Sequence, residues 1–152
     1  MSNTQERNES TVQRSRALDF EQAQVLIVAA HAHARTLGVA VTTAVVDAAG
    51  LLIALGRMDG APALSPQIAE AKAVGAAVLH KAGDELAALQ SDRPAFFSAA
   101  ARMVRVPVIA GLGSLLIRDQ GAIIGAIGIS GATSEQDVAC GTAALNVRAS
   151  RA

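Results

Sequence analysis

The chain has 152 residues, enough for one domain with a genuine core, and its 13 basic residues balance 13 acidic ones. That balance removes the electrostatic case for nucleic acid or an anionic membrane surface as a partner. A single cysteine, Cys140, excludes an internal disulfide and a cysteine-rich zinc site, and the absence of Trp and Tyr leaves the core to Ala, Val, Leu and Ile.

Residues 1–16 are polar and mixed in charge, with no apolar run of the secretory kind, and are expected to be a disordered lead-in to a single domain over 17–152. Asp19 is a good N-cap for a helix over 20–37, closed by Gly38. A β-branched run over 39–46, the turn Ala48-Ala49-Gly50 and a second apolar run over 51–55 read as a β-hairpin. It ends in a polar elbow, Arg57-Met58-Asp59-Gly60. Ser65 can cap a helix opening at Pro66 and running to about Lys81. Residues 84–90 form a short helix or turn, and Pro94 opens another helix through Arg102. Three strands follow, over 108–110, 115–118 and 122–129, with Gln120-Gly121 as a tight turn. Thr133, with Gln136 three residues on, caps a final helix. The sum is an α+β domain, an antiparallel sheet of about five strands with helices packed on it. The longest apolar run, 108–117, is well short of the ~20 residues of a spanning helix, and a cytoplasmic protein is expected.

Several residues could carry chemistry. Arg57 and Asp59 put opposite charges beside Gly60 at a strand end, either as a surface ion pair or as a rim for a small polar or anionic ligand. Lys72 lies mid-helix among alanines and glycines, where desolvation would suit it to act as a base or a carboxylate anchor; the alternative is a lysine snorkelling to the surface. Gly125-x-x-Gly128-x-Ser130-Gly131 brings backbone N–H groups near the last helix start, where Glu135 and Asp137 complement the dipole. Asp47 ends a strand at a turn, and turn formation is its first role. His31 and His33, two apart on a helix, face roughly 200° apart and cannot chelate one metal; no metal is expected. His80 sits near the end of the Lys72 helix.

Five pieces in this order resemble the GlcG/HbpS-like family of small bacterial domains described as haem-binding or haem-degrading. They are Val45-Val46-Asp47, Arg57-Met58-Asp59-Gly60-Ala61, Ala71-Lys72-Ala73, the Gly125 to Gly131 run and Glu135-Gln136-Asp137, and the resemblance covers 18–145. It implies a three-layer α-β-α, profilin-like arrangement and possible haem binding, with a histidine such as His80 as a candidate axial ligand. It also implies a lysine at position 72. The chain departs from the family at Gly75, where many relatives have threonine, and at Leu116, where relatives often have proline.

The reading that follows is a homo-oligomer holding haem or a comparably sized small molecule. Arg57, Asp59, Gly60, Lys72, Ser130, Gly131 and Glu135 would line its site. The alternative is a catabolic enzyme, a hydratase, isomerase or lyase. There Lys72, Asp47 or Glu135 would move a proton beside a carbonyl while the Arg57 region holds an anionic group. A third reading is an accessory protein with a vestigial pocket.

Overall fold

The computed structural model describes residues 16–151; all of the expected lead-in except Arg16 lies outside the described residues. Five helices and four strands follow in the order α1 (Phe20–Thr36), β1 (Thr42–Asp47), β2 (Leu52–Arg57), α2 (Ser65–Leu79), α3 (Gly83–Asp92), α4 (Pro94–Ala101), β3 (Ser114–Asp119), β4 (Ala122–Ser130) and α5 (Ser134–Ser150). The strands form one antiparallel sheet in the order β2-β1-β4-β3.

Side-chain alternation divides the core into two layers. Val45, Ile117, Ile127 and Ile129 point to one face, where Leu26 and Ala30 of α1 and Cys140 and Ala144 of α5 cover them. Ala44, Val46 and Ala126 point to the other, against Ala69, Ala73, Val74 and Ala77 of α2, with Leu86 of α3 and Phe97 of α4 beyond. This is the expected α-β-α arrangement, with one strand fewer. Small side chains let backbones approach closely: any Cβ at Gly128 would collide with the Ala69 carbonyl oxygen and the Ala73 amide, so α2 rests directly on β4.

Both predicted N-caps form: Thr133 makes the expected capping box with Gln136 on α5, and Asp19 caps α1 in a capping box with Gln22 that was not foreseen. Gln120 and Gly121 both adopt positive φ in the β3–β4 turn. Three expectations need correction. The 108–110 run is not a strand. It lies across α2 and α3, with Val108 filling the notch left by Gly75 and Gly111 backing onto Gly83, so helix packing rather than a ladder half-buries Val108 and Ala110 while Ile109 stays exposed. Ser65 is not the cap of α2. Its hydroxyl pairs with that of Thr42 at 2.7 Å in a buried contact, and the cap position falls to Leu64. Finally, α2 stops at Leu79, because His80 turns to φ 54°.

Candidate functional site

One end of the sheet gathers most of the predicted residues. Ser65 at the start of α2 meets Thr42, and Thr42 stands opposite both Ser130 and Arg57 in the ladders. Beyond Ser130 the chain turns at Gly131, with φ 136°, against Ala40, Val41 and Pro62, and enters α5. The elbow after β2 is closed by Met58 bonding Val41 and by the Ala61 amide donating to the Met58 carbonyl at 3.0 Å.

Lys72 lies two turns into α2 and is 8% exposed. Its ammonium donates to the Ile129 carbonyl at 2.9 Å and to Asp137 Oδ2 at 3.2 Å. Gly113, at φ 105° just before β3, leaves room for the Ile129 bond, since a Cβ there would lie 2.8 Å from the Ile129 oxygen and 3.0 Å from the Lys72 Nζ. Ile129 keeps an N–H bond to the Gly113 carbonyl, but its own oxygen receives the lysine. Asp137, in the first turn of α5 and 3% exposed, also accepts the Ala132 N–H on Oδ1 at 3.1 Å. Burial pushes its carboxyl above the ordinary 3.8, an effect that Lys72 and the Ala132 amide oppose. The pair therefore ties α2 to the start of α5 around the end of β4.

The other predicted residues take different places. Glu135 is exposed on the same helical turn, one face round from Asp137. Arg57, Asp59 and Gly60 are exposed on the elbow, and among the described residues no ion pair joins Arg57 to Asp59. Ser130, 7% exposed, lies beneath this rim. Asp47 stands at the opposite end, five residues or roughly 17 Å along β1 from Thr42. Its Oδ1 accepts the Ala49 and Leu51 amides at 2.9 Å each, so it builds the hairpin turn and does not share a rim with Lys72 within one chain. His80 is exposed at that far end too, where Val78 of α2 packs on Gly50. Sequence reasoning passed over Asp137 in favour of Glu135. Positions 137, 140, 141 and 144 are the buried stripe of α5 at helical spacing, and that periodicity was the signal that separates the two acids.

Two grooves flank the segment after α4. A larger one, about 580 Å³, opens between α4 and residues 102–108 over Phe97, Ala101, Val104 and Val108, with Arg102 and Arg105 in its lining. A smaller one, about 290 Å³, runs between α2 and residues 106–109 and is lined mainly by Leu64, Ile68, Ala71, Val106 and Ile109. Arg105 Nη2 reaches Glu70 Oε1 at 3.1 Å between them. Among the described residues neither groove is lined by a histidine, cysteine or methionine.

A four-stranded antiparallel sheet between helical layers, with a buried lysine–aspartate tie closing one end, defines a small α+β domain of the profilin-like kind. The family model for "Haem degrading protein HbpS-like" matches residues 18–146, and the chain belongs to that family. It is 32% identical over 145 residues to the corrinoid adenosyltransferase PduO of Citrobacter freundii, covering 93% of this chain but only 43% of that protein. It is 34% identical over 122 residues to PduO of Salmonella typhimurium, covering 80% of this chain and 36% of that one. The chain thus spans less than half the length of these curated relatives. Among solved structures, a PduOC:heme complex superposes with a TM-score of 0.76 at 30% identity, covering 86% of this chain and 94% of that chain. A double mutant of Streptomyces reticuli HbpS superposes with a TM-score of 0.78 at 25% identity, covering 97% of both.

Proposed function

We propose that this chain binds haem, or a planar ligand of similar size, as a self-associating protein. The observation that carries the reading is the likeness to the PduOC:heme complex along nearly the whole of that chain. The arginine-edged apolar groove beside α4 supports it, since its character suits a macrocycle and its carboxylates. Among the described residues the groove linings offer no histidine, cysteine or methionine to ligate iron. Self-association is supported by Leu51, Leu52 and Leu55, which are 54%, 42% and 37% exposed on and beside the edge strand β2. In this reading Lys72 and Asp137 hold the corner beneath Ser130 and Gly131, while Arg57, Asp59, Gly60 and Glu135 form a charged rim above it.

A second reading, proton transfer next to a carbonyl, is favoured by the raised carboxyl of Asp137 beside the Lys72 ammonium. Haem titration separates the two. The purified chain should give a saturable, shifted Soret band that survives gel filtration. A linear, unsaturable absorbance identical to free haem removes the first reading, and a metabolite-dependent rise in melting temperature would then favour the second.

A further inference from the structure

We propose that the groove between α4 and residues 102–108 is a binding site for a flat apolar molecule carrying carboxylates, anchored by Arg102 and Arg105. The inference rests on the haem-binding reading and adds to it a place and a mode of recognition. The groove follows from the local chain. Helix α4 has eight residues and ends at Ala101, after which the backbone turns back and Pro107 stiffens the return. Val108 then seats in the notch that Gly75 leaves in α2, which fixes the far wall. A side chain at position 75 would push Val108 outward and narrow the opening. Phe97, 5% exposed, supplies an aromatic ring among the apolar lining.

Charge decides the class of ligand. Among the described residues the lining holds two guanidinium groups and no carboxylate. Arg102 makes no ion pair among the described residues, and Arg105 is held by a single oxygen of Glu70 through Nη2, which leaves the rest of its fork free. Guanidinium groups beside an apolar wall recognise a carboxylate on an apolar body. The volume, about 580 Å³, lies inside the range of roughly 300–1,000 Å³ for small-molecule sites. With no histidine, cysteine or methionine in the lining among the described residues, recognition runs through the ring face and the carboxylates rather than through a central metal.

The test is a set of absorbance and fluorescence titrations with haem, metal-free protoporphyrin IX and protoporphyrin dimethyl ester. The proteins are the wild type, Arg102→Met, the double variant Arg102→Met/Arg105→Met, and Arg118→Met as a remote control. Metal-free protoporphyrin should bind within ~3-fold of haem, and the double variant should lose at least ~10-fold for both. Arg102→Met alone, which breaks no ion pair, should show part of that loss. The dimethyl ester should bind the wild type weakly, and Arg118→Met should change nothing. If haem binds but the arginine variants retain full affinity, the site is elsewhere and only this inference falls. Haem binding without protoporphyrin binding means that iron ligation carries recognition, which also overturns it and leaves the haem reading intact. If neither tetrapyrrole binds the wild type, both fall; if protoporphyrin alone binds and the double variant loses it, the groove stands and the haem reading falls.

Discussion

Lys72 and Asp137 show how burial changes the meaning of a charge. An exposed lysine–carboxylate pair contributes little, whereas a buried one becomes costly as soon as one partner is removed. Lys72→Met should therefore lower stability at neutral pH by about 3 kcal/mol, measured by urea unfolding. The loss should shrink on acidification. Without the lysine, nothing cationic opposes burial, so the folded-state pKa of Asp137 climbs further above 3.8. A group whose folded pKa is raised contributes stability that is complete below its unfolded pKa and lost as pH rises through the folded one. The deficit of Lys72→Met should be smallest near pH 3.8 and largest at neutrality. A deficit that does not vary with pH would mean that Asp137 is not buried as described. His31 is perturbed by the same physics in the opposite sense: burial lowers its pKa, and its Nε2 has no hydrogen-bond partner among the described residues.

At the scale of elements, α2 on β4 is the contact that positions everything else, and it depends on a missing side chain. Gly128→Ala should cost about 3 kcal/mol, because the new methyl meets backbone that cannot rotate away. Gly60→Ala meets nothing within 4 Å among the described residues and strains only its own φ of 82°, so it should cost about 1 kcal/mol. Equal losses in thermal or urea unfolding would contradict the seating of α2 on the sheet. The fate of 108–110 belongs to this scale as well. Valine and isoleucine next to proline read as a strand, but Val108 packs partly buried into the Gly75 notch instead. Burial satisfied by a helix face removes the drive to pair.

At the scale of the molecule, the sheet is covered on both faces, but among the described residues its β2 edge carries unpaired backbone and exposed leucines. A chain with three phenylalanines and no other aromatic has few large side chains with which to cover such a surface internally. Light scattering at micromolar concentration should report a homo-oligomer. Leu52→Lys and Leu55→Lys, placing charge along β2, should shift it toward monomer without lowering the helical signal in circular dichroism. A stable wild-type monomer would remove self-association from the proposed function.

Helices α1 and α5 with their N-caps, the hairpin, the β3–β4 turn and the α+β class could all be read from residues, because each depends on neighbours within a few positions: a cap, a glycine, a period of two or of 3.6. Family membership was legible for a related reason, since five short pieces kept their spacing along the chain. Lys72 was recognisable as unusual, but its partners were not. Ile129 is 57 residues away and Asp137 is 65 away, and only the placement of α2 across the sheet brings them to the ammonium. The same placement separates Asp47 and His80 from Lys72 by the length of a strand and of half a helix. Local propensity carries no information about which end of a sheet a residue reaches; the register of four strands and the docking of one helix decide it.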